Sequence, residues 1–373
     1  MRDLMSVFDA HLHRCGYSLS EAARQIPWDL GNLSAVRRGR KPLSVNLAAG
    51  LDRLCGTAAF TAWLTGPPVI AETVLRDAHR WLVGLDTAPL PVHRASGRRV
   101  GRSTVEVLDR RISDLRRADD TVPARRLAPV VAAETRDLRA LLDDAAYTEA
   151  TGRDLLRLYG EFSQMAGWLA ADLGVRNRAE QYYLDGAAAA SAAGNRGLAA
   201  QLYSCLAYMV TSAGGDGLLL AQTALMGAAE SPPLVRALLG ERVAWAAARN
   251  GERDAAHRAL DAVDDAYESR AGYPAPAWTY WLDRTEINVM AARVHLALGA
   301  PDRAAPLLEA AIATYPVEHV REVGLYRTWL AEGYARTGDR DAARAVLAAI
   351  GPAAGSARVA HRMSEVEQLL HTA

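Results

Sequence analysis

Lysine is almost missing from this sequence. Lys41 is the only one, and every other strong cation is an arginine. A P-loop needs a lysine inside a glycine-rich frame, so none is present; GGDG at 214–217 follows no strand and is no phosphate cradle. Cysteine is nearly as scarce. Cys15, Cys55 and Cys205 share no metal-ligand spacing, and an odd, sparse set is no disulfide framework, so a reducing, cytoplasmic setting is expected. Net charge is absent too, with 43 basic residues against 43 acidic ones, so any electrostatic footprint must be local. No stretch reaches the ~18 apolar residues of a membrane span. The first residues carry Arg2, Asp3 and Asp9 in place of a signal peptide's apolar core. His11 and His13 are two apart and face different sides of a helix, unlike paired zinc ligands. No Ser-His-Asp or Cys-His grouping has supporting context, and Asp143-Asp144 and Asp264-Asp265 read as solvated helix faces. A metal site, a cofactor and an enzymatic role are therefore not expected.

What the chain does have is alanine, leucine and arginine, within a composition that is 50% hydrophobic and 23% charged. That mixture fits globular protein and leans helical. The length of 373 residues suggests two or three domains. The expected class is all-α.

The first sixty residues divide into short helices. Phe8, His11 and Leu12 recur at helical spacing, and Gly16 ends the first helix. Ser18 and Glu21 form a capping box for a second, with Ala22, Ala23 and Ile26 inward and Pro27 as its stop. Asp29 is a good N-cap for a third, through Leu30, Gly31, Asn32, Leu33, Ser34, Ala35 and Val36, which Gly39 closes. Pro42 forces an extended turn before a fourth helix with Leu47, Leu51 and Leu54. Two short helices joined by a tight turn are the helix-turn-helix signature.

The stretch SLSEAARQIPWDLGNLSAVRRGRKP, Ser18 to Pro42, resembles the lambda-repressor-like (Xre-type) DNA-binding domain. Ala22-Ala23 match that family's Leu-Ala pair, Asp29 its polar recognition-helix cap, and Leu33-Ser34, Val36, Gly39 and Pro42 fall in register. Pro27 stands where the family usually has glycine, and Arg37 where it often has glutamate. The resemblance implies that Ser18, Asp29, Leu30, Gly31, Asn32, Ser34 and Ala35 contact double-stranded DNA, Ser18 and Asp29 also fixing the helix starts. Asn32 is the best direct reader, since an amide pairs bidentately with adenine. Leu30 suits a thymine methyl, and Gly31 a close backbone approach. Arg37, Arg38, Arg40 and Lys41 suit phosphates, which position without reading sequence. Residues 1–56 hold eight Arg/Lys against five Asp/Glu, a net +3 in a neutral chain.

Residues 61–102 read as a linker: Pro67 and Pro68, a short helix through Val74, Ala78, Trp81 and Leu82, then a loose solvated stretch with Arg94, Arg98, Arg99 and Arg102. Residues 103–150 read as two adaptor helices, the first opened by a capping box at Ser103 and Glu106, with Val105, Leu108, Ile112 and Leu115 on one face, and the second over roughly 122–146.

From 151 to 373 one pattern recurs. A small residue is followed seven positions on by glycine, and five further by alanine: Gly167–Gly174–Ala179, Ala244–Gly251–Ala256, Ala292–Gly299–Ala304 and Ala331–Gly338–Ala343, with a degenerate copy at Tyr208–Gly215–Leu220. Tyr183, Leu260, Leu308 and Leu347 follow four residues after the alanine. Small residues let two helices approach, glycine turns the chain, and the large residue fills the groove. In these positions the chain resembles the tetratricopeptide repeat. The glycines are 41, 36, 48 and 39 residues apart, longer than that family's unit, with an insertion near Gly272 to Pro276. The last helix is expected to be capped by Ser364 and Glu367.

Stacked repeats make a concave binding surface. Its expected liners for a peptide or small-molecule effector are Asn177, Tyr208, Trp245, Trp278, Tyr280 and Trp281, with Trp168 and Tyr182 beside them. The combination resembles actinobacterial Xre-type regulators with tetratricopeptide bodies. It implies a homodimeric transcriptional regulator, a lambda-repressor-like head of four to five helices followed by an α-solenoid, away from membranes. The other readings are a tetratricopeptide adaptor without DNA binding, and a peptide-pheromone receptor.

Overall fold

A computed structural model of the chain describes residues 4–38, 40–55, 60, 70, 72–84, 90–316, 318–351 and 356–372. Gly39, Pro67, Pro68 and the start of the expected solvated stretch lie outside the described residues. All regular structure among the described residues is helical, in agreement with the all-α expectation. No helix there is long and apolar enough to cross a membrane. The chain divides into two compact units, a head of residues 1–71 with 213–215 and a body of residues 72–212 and 216–373.

The head holds α1 (Leu4–Arg14), α2 (Leu19–Gln25), α3 (Leu30–Arg37) and α4 (Val45–Cys55). Ser18 and Glu21 make the reciprocal capping box at the start of α2. Asp29 accepts the Asn32 amide at the start of α3, so both starts satisfy one of their orphan donors with a side chain. Phe8, Ala22, Leu33, Ala48, Leu51 and Phe60 are fully buried between them. Phe8 and Phe60 meet edge to face at 5.1 Å. Two cysteines forty positions apart come together as free thiols, Cys15 Sγ lying 2.6 Å from Cys55 Sγ, a proximity their spacing gives no hint of.

The body runs through α5 (Glu72–Leu82), α6 (Arg102–Asp119), α7 (Ala124–Asp144), α8 (Glu149–Asp172), α9 (Arg176–Ala192), α10 (Arg196–Ser212), α11 (Leu218–Gly227), α12 (Pro233–Arg249), α13 (Arg253–Glu268), α14 (Arg284–Ala297), α15 (Pro301–Thr314), α16 (Val320–Thr337), α17 (Arg340–Ala348) and α18 (Ala357–Thr372). Each small–glycine–alanine pattern is a helical hairpin. Gly174, Gly251, Gly299 and Gly338 turn α8 into α9, α12 into α13, α14 into α15 and α16 into α17, all at φ between 74° and 88°, where a Cβ would be strained. Ala179, Ala256, Ala304 and Ala343 are fully buried at the crossings. At Gly167 a Cβ would lie 2.5 Å from the Tyr183 ring, so here glycine is needed for close approach. The insertion between α13 and α14 contains one 3-10 turn, Ala277–Thr279.

Three details differ from the sequence reading. Helix α6 starts at Arg102 with Gly101 as its uncapped N-cap. Ser103 is therefore inside the first turn, and Glu106 pairs with Arg102 instead. Helix α18 starts at Ala357, with Ser356 Oγ accepting the Val359 amide, so Ser364 sits mid-helix. The stretch with Arg94, Arg98 and Arg99 is no free connector. Arg94 and Tyr147 exchange backbone hydrogen bonds, Val100 donates to Ala146, and Ala146 donates to Arg98. Ahead of it, Trp81 on α5 is buried against Gly227 of α11, with Arg196 over its ring.

Helices from the far end of the body return to its beginning. Arg321 on α16 pairs with Asp119 on α6 at 2.9 Å. Arg358 on α18 pairs with Asp172 on α8 at 2.7 Å. Tyr280 Oη donates to the Arg116 carbonyl and to Asp120. Arg116, Asp119, Tyr280, Arg321 and Arg358 of these contacts line one open cavity in the body.

Candidate functional site

Two places concentrate the residues singled out from the sequence, one on each unit. In the head, Leu30 and Gly31 are exposed at the start of α3, and Asn32, Ser34 and Ala35 are half-buried along it. Leu33 and Val36 face the core. Arg38, Arg40 and Lys41 are exposed just beyond the helix. Several of the expected contact residues are already engaged inside the head, Arg38 through its Nε to the Ser34 carbonyl. Arg37 is held by Asp9 through a forked pair, Nε to Oδ1 and Nη2 to Oδ2, each 2.8 Å. Lys41 Nζ donates to Asn32 Oδ1. Ser18 and Asp29 act as caps. Trp28, 38% exposed in the turn before α3, belongs to the same surface and was not among the sequence candidates.

In the body the cavity has a volume of about 460 Å³. Tyr208, Trp278, Tyr280 and Trp281 line it, as does Trp168. Trp168 stacks on Tyr208 with ring centroids 6.0 Å apart and has Arg358 over it at 4.4 Å. Trp281 donates its indole N–H to the Trp278 carbonyl. Three expected liners are elsewhere. Asn177 is exposed in the first turn of α9, and Tyr182 packs on the α6–α8 core. Trp245 is not on the cavity wall but lies beneath Arg249 and Arg293.

The wall is unusually rich in buried charge. Arg116 pairs with Glu161 at 2.8 Å, Arg321 with Asp119, and Arg358 with Asp172. Burial alone would raise the Asp172 carboxyl, but Arg358 and Arg321 outweigh it and hold it below its ordinary range. Burial raises Asp119 in spite of Arg321. Glu286 is also raised by burial, and accepts hydrogen bonds from the Tyr315 and Tyr326 hydroxyls. Tyr208 goes the other way. Burial pushes it up, but Arg293, Arg358 and Arg242 together bring it down to about 8.

Compared with protein-family models and with curated proteins, the chain matches none.

The sequence gives little sign of a role for Arg116, Arg242, Arg293, Arg321 and Arg358, the arginines of the cavity wall. A signal exists for two of them. In PLVRALLGERVAWAAAR and RTEINVMAARVHLA, Arg242 and Arg293 stand three or four positions from buried apolar residues, on the inward faces of α12 and α14. A cation placed there is either paired or functional.

Proposed function

We propose that the chain is a sequence-specific DNA-binding transcriptional regulator, acting as a homodimer, whose helical-repeat body senses an effector. The head is read as a lambda-repressor-like helix-turn-helix and the body as a tetratricopeptide-like solenoid. The chemistry is binding rather than catalysis. The observation that carries this reading is the α2–α3 pair. Two short capped helices are joined by residues 26–29, and the start of the second is solvent-facing, with Arg38, Arg40 and Lys41 exposed beyond it. That is the arrangement in which a recognition helix offers its first residues to base edges while flanking cations meet phosphates. The bond from Lys41 to Asn32 supports a two-state surface: free of DNA the amide is occupied by the lysine, and on DNA the lysine moves to a phosphate and releases it.

The test is binding of the full chain to a genomic fragment library, followed by selection of its preferred site. Retention should fall steeply with added salt, because neutralised phosphates release counterions. Asn32→Ala should relax the selected motif at one position, by about 1–3 kcal/mol for a bidentate contact. Arg38→Ala and Lys41→Ala should weaken binding to every sequence alike. No retention at low salt would favour an adaptor without DNA binding. Light scattering on the full chain tests the dimer, and a monomer at tens of micromolar would remove it.

A further inference from the structure

Most of the cavity's arginines have an acid to match. Two do not. Arg242 and Arg293 are 4% and 3% exposed, both line the cavity, and among the described residues neither has a carboxylate at ion-pair distance, in contrast to Arg116, Arg321 and Arg358 beside them. Arg242 Nε and Arg293 Nε and Nη2 are buried without a hydrogen-bond partner. What surrounds them is aromatic. Arg242 lies 4.3 Å from the centre of the Tyr208 ring and Arg293 5.3 Å from the same ring. Arg293 also lies 4.8 Å from Trp329, and donates from Nη1 to the Tyr208 hydroxyl at 3.0 Å.

A buried guanidinium without a hydrogen-bonding anion is strongly disfavoured. Stacking on rings recovers only part of that cost. Here the arrangement occurs twice around one tyrosine. The neighbouring acids do not supply the missing charge. Burial pushes Glu241, behind the wall, up to about 8 and leaves both its oxygens unpartnered. Glu286 is raised as well and is taken up by two tyrosine hydroxyls.

We propose that the effector of this protein is an organic anion held in the body's cavity, with a compact oxyanion head, carboxylate or phosphate, between Arg242 and Arg293 and a flat apolar body against Trp168, Tyr208 and Trp329. Planar guanidinium forks suit both heads. A cavity of about 460 Å³ is in the range of small-molecule sites. This rests on the reading of the body as an effector-binding domain and specifies its ligand class.

The experiment uses the full chain and two fluorescent probes with one ring system, 8-anilinonaphthalene-1-sulfonate and its uncharged counterpart N-phenyl-1-naphthylamine. Arg242→Gln together with Arg293→Gln should weaken the sulfonate at least tenfold and leave the neutral probe within about twofold. Benzoate or phenyl phosphate should displace the bound sulfonate, and benzamide should not. The stronger competitor of the two identifies the head as carboxylate or phosphate.

A second measurement needs no variant. An anion beside Arg242 and Arg293 cancels the field that lowers Tyr208. Saturating benzoate or phenyl phosphate should therefore move the ultraviolet tyrosinate step near pH 8 upward, and Tyr208→Phe identifies that step. Equal loss of both probes, no loss of either, displacement by benzamide, or an unmoved Tyr208 step overturns the anion while leaving a ligand cavity. If neither probe binds saturably, the effector-site reading of the cavity falls with it. The DNA-binding reading stands or falls on its own test.

Discussion

Glu241 is the most isolated acid among the described residues of the body. It is fully buried, neither oxygen has a hydrogen-bond partner, and burial carries it to about 8 even with Arg293 and Arg242 nearby. In the unfolded chain it returns to its ordinary value of 4.5. Between those values the folded state keeps a proton that the unfolded state has lost, so stability is fullest below the lower value and declines as pH rises toward the upper one. Melting temperatures from pH 5 to 8.5 should fall with pH in the native chain and fall less in Glu241→Gln, which is neutral throughout. Parallel slopes for the two proteins would show that Glu241 titrates normally. Glu241 also marks what could be read at this scale. Tyr208, Trp278, Tyr280 and Trp281 are legible because large aromatics stand out in a sequence, and all four line the cavity. Asn177 was chosen on its chemistry alone and is exposed. Glu241 and Arg242, two adjacent buried charges in a mostly apolar helix, are the stronger sign of something the fold must accommodate.

Among elements, the hairpins were the most legible. A glycine at a fixed distance from two small residues encodes a left-handed turn and a close crossing at once, and both occur. The crossing can be tested at Gly167. Added carbons there meet the Tyr183 ring, itself 1% exposed. Gly167→Val should destabilise the body by about 1–3 kcal/mol or more, as overpacking does, whereas Gly167→Val combined with Tyr183→Leu should recover part of the loss. Urea unfolding followed by circular dichroism measures both. A silent single variant would mean that α8 and α9 can slide apart freely. Less legible was residues 90–101. Their backbone partners, Ala146 and Tyr147, lie some fifty residues on, and the side chains that pack on the core, Leu90, Val92 and Val100, fall at no regular spacing to read. The cap misplaced to Ser103 has a simpler cause. A serine followed three residues later by glutamate also arises inside a first turn, and only the phase of the helix tells the two apart.

Over the whole body, the ion pairs that bring its ends together are the largest departure from what neighbouring hairpins specify. Arg321 has Asp119 at 2.9 Å and Glu322 at 2.9 Å, with Asp172 at 3.7 Å. Removing it strands Asp119, which burial already raises. Arg321→Met should cost about 3–5 kcal/mol, as broken buried pairs do, and Asp119→Asn in that background should return part of it. A melting temperature within a degree of the native chain's would show that the contact contributes nothing to holding the body closed.

The same contact joins residues 202 positions apart, and this has a consequence in time. At ~5–20 residues per second of synthesis, with domains folding as units as they emerge, Arg321 follows Asp119 by roughly 10–40 s. Helices α1 to α4 of the head are all in the chain before Asp119 is made. On the reading proposed here, every new molecule passes through an interval in which its DNA-facing surface exists and its effector cavity does not, so the first state of this regulator is one that no ligand can control.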